Sequence, residues 1–110
     1  MEIEIKEIKT YGIKVIALEN GDEIGRAYIY FMSNDLHNRP FAYLEDVYVN
    51  EEFRGKGISR KILDKIKELA KERNCYKIVA TSRYEREFVH NYYERIGYNK
   101  TGHSFRMDLE

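Results

Sequence analysis

Cysteine and proline occur once each in these 110 residues. The lone Cys75 excludes a disulfide within the chain and suits a reducing compartment. Charge of one sign is missing as well: nineteen Lys and Arg balance nineteen Asp and Glu, for a formal net charge of +0. That balance leaves no bulk electrostatic footprint for nucleic acid or an anionic membrane. No apolar run is long enough to span a bilayer, and Met1-Glu2-Ile3-Glu4 does not open a signal peptide. A soluble cytoplasmic protein, with neither nucleic acid nor membrane as partner, is the expectation. Repeats, low-complexity tracts and linkers are absent, so residues 1–110 read as a single domain with a modest core.

Apolar periodicity supplies the elements. Ile3 and Ile5 alternate with Glu2, Glu4 and Lys6, the period-2 pattern of a half-buried strand, followed by a turn at Thr10-Tyr11-Gly12. Ile13 to Leu18 is a second strand, Asn20-Gly21-Asp22 a hairpin turn, and Ile24 to Met32 its partner. Residues 33–40 are the most loop-like stretch and end on the only proline. Phe41 to Val49 is the central strand. Ile58, Ile62, Leu63, Ile66, Leu69 and Ala70 then recur at helical spacing, and Asn74 is placed to end that helix in the left-handed conformation. Tyr76 to Thr81 is a short strand, so a right-handed parallel crossover is expected. Phe88, Val89, Tyr92 and Ile96 stripe a second helix that Gly97 ends, and His103 to Leu109 alternates as a last strand. The predicted class is α/β (α+β): a mixed, mostly antiparallel sheet with one parallel βαβ crossover and two main helices.

The centre of this order is a strand, a two-glycine loop and a helix N-terminus, which together suit an anion. The first helical N–H groups lack intrahelical partners and carry the positive end of the macrodipole. Gly55 and Gly57 let a phosphate approach the main chain and make positive φ cheap. A Walker loop needs Gly-Lys followed by Ser or Thr, and a dinucleotide fingerprint needs a third glycine where Arg60 stands, so neither fits. A tight strand-to-helix turn without ligand stays open on the glycines alone.

Two further motifs bear on that choice. Glu45-Asp46-Val47-Tyr48-Val49 with Phe53-Arg54-Gly55-Lys56-Gly57-Ile58 resembles the acyl-CoA signature of the GNAT superfamily of N-acetyltransferases. Val89-His90-Asn91-Tyr92-Tyr93-Glu94-Arg95-Ile96-Gly97-Tyr98 is similar to its second motif, and Arg86 matches an arginine that one large branch often carries. The likeness covers about the last two-thirds of the chain and implies a GNAT-like fold, acetyl-CoA as co-substrate and transfer of its acetyl group to a primary amine in a ternary complex. It implies that main-chain amides from Arg54 through Gly55, Lys56, Gly57 and Ile58 to Ser59 hold the pyrophosphate. By the same likeness the strand Val47, Tyr48, Val49 pairs with pantetheine. Lys56 and Arg60 either add charge near the phosphates or sit on a solvated helix face.

Where the family usually places one or two helices between its first two strands, this chain has only a turn around Tyr11-Gly12. Glu52 also stands where the family often has Gln or Arg. The shortened acceptor wall suggests a homodimer in which a neighbour, or the loop 33–40, covers the cleft. It also motivates a second class, a non-catalytic acyl-CoA-binding sensor or partner-dependent subunit.

Acetyl transfer needs a neutral amine, a stabilised carbonyl oxygen and a proton for the departing thiolate. Tyr93 stands at the family's frequent general-acid tyrosine; the alternative is a packing role beside Tyr92 and Tyr98. Glu45 is the favoured base, acting directly or through water, with Asp46 second, since strand neighbours face opposite ways unless a bulge intervenes. An ion pair or sheet-end charge is the alternative for Glu45. His90 reads as a supporting residue on its helix, Arg86 as a cofactor contact or an ion-pair partner, and Cys75 as a small buried residue. His37, His90 and His103 are too scattered for a metal site, and no metal is expected.

Overall fold

Asn20 and Gly21 turn the chain back on itself with φ of 50° and 84°, the left-handed backbone that a two-residue hairpin requires. They join β1 (Tyr11–Glu19) to β2 (Asp22–Met32) in the computed structural model, which describes all residues from 1 to 110. β3 (Phe41–Val49) runs antiparallel to β2, and β4 (Ile78–Ala80) runs parallel to β3, giving the sheet order β1-β2-β3-β4. The parallel pair is closed by α1 (Ile58–Glu72), as the strand–helix–strand order predicts. Mixed α/β architecture with a mostly antiparallel sheet is therefore what the chain adopts.

The period-2 face of the sheet meets the period-3.6 stripe of the helix. Ile24, Ala27, Ile29 and Phe31 from β2 and Ala42, Leu44 and Val49 from β3 are buried, with Ile62, Leu63, Ile66 and Ala70 from α1. Gly25 lets the two layers approach: a Cβ there would stand 3.2 Å from Ile62 Cδ1 and 3.2 Å from the Tyr48 carbonyl. α1 ends in a Schellman motif, with Asn74 at φ 59°, its N–H donating to the Lys71 carbonyl at 3.0 Å and that of Cys75 to Ala70 at 2.9 Å. Ile66 is 0% exposed. Ile66→Ala is expected to cost about 2–5 kcal/mol in denaturant unfolding, through lost transfer energy and a cavity. Leu36→Ala, on a loop and 85% exposed, should change stability by no more than about 0.5 kcal/mol.

Two predicted strands are not formed. The segment before β1 has no strand structure, and Ile3 and Ile5 are 84% and 91% exposed. Residues 103–109 are likewise irregular, with Phe105 93% and Leu109 92% exposed. Alternation marks a segment that could be half-buried, but a strand exists only where a neighbour takes its N–H and C=O groups. Neither segment has such a neighbour in this chain. The predicted strand at 76–81 is also trimmed to the three residues of β4.

The chain gathers into two compact units, Met1–Ala80 and Thr81–Glu110. The first holds the sheet and α1; the second holds α2 (Glu87–Arg95). No helix is long and apolar enough to cross a membrane.

Candidate active site

β4 pairs with β3 only at Ala42, Tyr43 and Leu44. From Glu45 to Val49, the side of β3 away from β2 has no strand beside it. The ladder on the β2 side breaks at the same place. Tyr28 pairs with Glu45 and Arg26 with Tyr48, so β3 carries one residue more than β2 across that interval. Asp46 absorbs it with φ 52°, a β-bulge of the kind that re-aims side chains. Simple alternation would put Glu45 and Asp46 on opposite faces, whereas across the bulge both are exposed. The bulge was not foreseen, although Asp within an apolar strand is a residue type that tolerates left-handed backbone.

Beyond Val49 the chain is tied into a compact turn. The Asn50 N–H donates to the Ile24 carbonyl at 2.8 Å, and Glu51–Phe53 form one 3-10 turn. Arg54 closes it: its N–H donates to the Glu51 carbonyl, its Nε to the Val49 carbonyl at 2.8 Å, and its guanidinium lies 5.2 Å from the Tyr48 ring centre. Gly55 and Gly57 follow with φ of 77° and 80°. A Cβ at either would meet nothing within 4 Å, so the loop faces open space and backbone conformation demands glycine.

Gly57 is the N-cap of α1, and no side chain caps the helix there. The first bond across that end runs from the Lys61 N–H to the Gly57 carbonyl at 3.2 Å. The amides of Ile58 and Arg60 therefore lie in the turn where helix geometry supplies no acceptor. A site open in space, floored by glycine and headed by an uncapped helix of fifteen residues has the donors and the polarity that an anion needs. Of the cationic side chains, Lys56 Nζ stands 5.2 Å from the Phe53 ring centre, and Arg60 Nε pairs with Asp64 at 3.0 Å. An exposed i,i+4 pair of this kind is worth about 0.3–0.5 kcal/mol, small enough for Arg60 to exchange partners. Glu52 is exposed on the 3-10 turn.

In the second unit, α2 ends as α1 does. Gly97 at φ 108° donates its N–H to Glu94, and the Tyr98 N–H donates to the Tyr93 carbonyl at 3.0 Å. The side chains complete this Schellman cap, with the Tyr93 and Tyr98 rings 5.2 Å apart. Burial raises the Tyr93 phenol above its ordinary value of 10.0, with Arg86 acting in the opposite direction. Burial, with Tyr93 nearby, pushes Tyr98 up to about 12. His90 Nε2 donates to the Arg83 carbonyl at 2.8 Å, tying the segment before α2 to the helix, and the Arg86 guanidinium lies 5.4 Å from the Phe88 ring centre. Cys75 is half-buried, and burial raises its thiol. No group of three or more His, Cys, Asp or Glu side chains is placed to hold a metal ion.

A raised tyrosine pKa has a readable sign. The neutral phenol is the favoured form in the fold, so the stability Tyr98 contributes is complete below pH 10 and is lost as pH rises through about 12. Ultraviolet titration of the ten tyrosines should show a late ionisation near that pH, which Tyr98→Phe removes.

A model of the acetyltransferase (GNAT) family matches residues 2–98. The chain belongs to the GNAT acetyltransferase family. It is 28% identical over 71 residues to a glucosamine 6-phosphate N-acetyltransferase of Trypanosoma brucei brucei, covering 64% of this chain and 46% of that protein. It is 40% identical over 47 residues to a thialysine N-epsilon-acetyltransferase of Bos taurus, covering 43% of this chain and 28% of that protein. The GNAT chain thus spans less than half the length of these curated relatives. A solved Trypanosoma brucei acetyltransferase shares the fold with a TM-score of 0.80 at 22% identity, over 89% of this chain and 69% of that one. GNAT proteins use acetyl-CoA as co-substrate, and the glycine loop and uncapped α1 suit its diphosphate on the geometry above.

Proposed function

We propose that this GNAT chain is an N-acetyltransferase that moves the acetyl group of acetyl-CoA directly to a primary amine within a ternary complex. The observation that carries this reading is the free side of β3 from Glu45 to Val49, which leads through the single 3-10 turn Glu51–Phe53 into the glycine loop and the uncapped N-terminus of α1. A pantetheine arm paired along Val47, Tyr48 and Val49 would be a strand addition, with its diphosphate arriving at Gly55, Lys56, Gly57, Ile58 and Ser59. Arg54 supports the turn through Val49, and Lys56 and Arg60 add positive charge beside it.

The thioester supplies the activated acetyl group. Glu45, directly or through a water, takes the proton that the attacking amine must lose. An N–H of the bulged strand stabilises the carbonyl oxygen as charge develops there. The amine nitrogen bonds to the carbonyl carbon, the carbon–sulfur bond breaks, and Tyr93 gives its proton to the thiolate. Its role rests on its place in the second motif and on a phenol that burial keeps neutral. The acceptor is a small metabolite, a lysine side chain or a protein N-terminus.

Purified protein incubated with acetyl-CoA and a panel of primary amines tests the reading through free CoA release. Amine-dependent release supports it. Binding in calorimetry without release for any amine would favour the acyl-CoA-binding module, and absence of binding would remove both.

A further inference from the structure

We infer, on the basis of the transfer reading above, that the acceptor amine also carries an anionic group, carboxylate or phosphate. Arg26 and Arg54 receive that group beside Tyr48 while the amine stands at Glu45. Arg26 and Tyr28 alternate along β2 with Gly25, Ala27 and Ile29, which are buried toward α1, so both face the other side of the sheet. Register sets Tyr48 beside Arg26 and Glu45 beside Tyr28. Three positions apart, Glu45 and Tyr48 would face opposite ways in a regular strand. The extra residue that Asp46 absorbs brings both onto the face away from α1.

The Arg26 guanidinium lies 4.9 Å from the Tyr48 ring centre and that of Arg54 5.2 Å. They arrive from opposite sides. Arg26 comes from β2, whereas Arg54 comes from the unpaired side of β3. The Asn50 N–H bonds to Ile24, so the Val49 carbonyl one residue back points away from β2, and this carbonyl accepts Arg54 Nε at 2.8 Å. Neither guanidinium pairs with a carboxylate; the ion pairs of the chain join other residues. Two permanent cations thus converge on a tyrosine that is 41% exposed, with no counter-ion between them. A carboxylate or phosphate completes such a setting through charge-assisted bonds.

The rest of this face agrees. Lys14, opposite Tyr28 on β1, is already bonded to Glu23 at 2.9 Å. Glu45 and the exposed Asp46 put negative charge at the end where an ammonium would arrive. Two residues of β2 separate the Tyr48 row from the Glu45 row, about 7 Å at the rise of a strand. An amine nitrogen and a carboxyl carbon six single bonds apart span about 7.5 Å when extended.

Free CoA release from ε-aminocaproate, aminopentyl phosphate and the uncharged ε-aminocaproamide tests this, in the unaltered protein and in Arg26→Met. The unaltered protein should use one of the anionic amines with a kcat/KM about tenfold or more above that for the amide. Arg26→Met keeps the length of the side chain. It should erase most of that preference and leave the thermal melt and the affinity for acetyl-CoA in calorimetry nearly unchanged, and Arg26→Lys should restore part of the preference. Equal use of the three amines, a preference that Arg26→Met leaves intact, or acetylation of other amines only would overturn this acceptor class and leave the transfer reading standing. Loss of acetyl-CoA affinity in Arg26→Met would assign the pair to the cofactor and overturn it as well. No release with any amine overturns both.

Discussion

Gly57→Glu is expected to abolish acetyl-CoA binding while leaving the fold in place. Gly57 is the N-cap of α1 at φ 80°, and a Cβ there would meet no atom within 4 Å. The fold therefore feels only the left-handed backbone, a cost of about 1–2 kcal/mol for a residue with a side chain. The ligand feels more. A carboxylate about 5 Å from one phosphate charge opposes it by about 3 kcal/mol at an effective dielectric of about 20, and the side chain also fills the space the diphosphate would take. Binding should weaken by at least about a hundredfold. Gly57→Ala separates the contributions, since it carries the backbone strain without the charge: the strain is present with and without ligand, so this variant should lose stability by about 1–2 kcal/mol while weakening binding far less than Gly57→Glu. Calorimetry with acetyl-CoA, beside a thermal melt of each variant, measures both. Unchanged affinity in Gly57→Glu would take the diphosphate away from this loop.

The same loop shows why part of this protein was legible before any coordinates. Gly55, Gly57, the hairpin at Asn20-Gly21 and the helix ends at Asn74 and Gly97 are local devices. Each residue type answers a backbone demand a few bonds away, and each adopts the positive φ that the demand implies. The stripe from Ile58 to Ala70 and the bounds of β3 were readable for a similar reason: one face of each is dry, and periodicity records that. Ile3 and Ile5, and Phe105 with Leu109, show the limit. Their alternation describes a surface without naming the neighbour that would bond to it, and no neighbour lies in the chain. The bulge at Asp46 was hidden for another reason. Glu45 and Asp46 drew attention as acids, whereas the information in Asp46 is conformational and depends on the register between β2 and β3. The free side of β3 was equally out of reach, because it depends on β4 stopping opposite Leu44. The backbone of the proposed phosphate cradle is thus written in adjacent residues. The opening into which a thioester could be laid is written in how far two distant strands agree to pair.

Tyr93→Phe should lower kcat by about a hundredfold and leave the affinity for acetyl-CoA nearly unchanged. A proton donor in the transition state typically contributes about 10²–10⁴ in rate, and in the proposed role the phenol acts only when the thiolate departs, so ground-state binding has little to lose. The substitution discriminates cleanly because of what it retains. The ring of Phe still packs against Tyr98, now 5.2 Å from Tyr93, and the main-chain carbonyl of residue 93 still accepts the Tyr98 N–H that caps α2. A packing role alone predicts an enzyme of full activity. The pH profile adds a second readout. Burial raises the Tyr93 phenol above 10.0, so the donor form is complete at neutral pH and is lost only as pH climbs through that raised value. The alkaline fall in kcat should therefore lie at higher pH than an ordinary tyrosine would give in the unaltered protein and be absent from the slower Tyr93→Phe variant. Equal rates in the two proteins would leave Tyr93 as the hydrophobic contact of a helix cap and return the search for the acid to the remaining groups of the second motif.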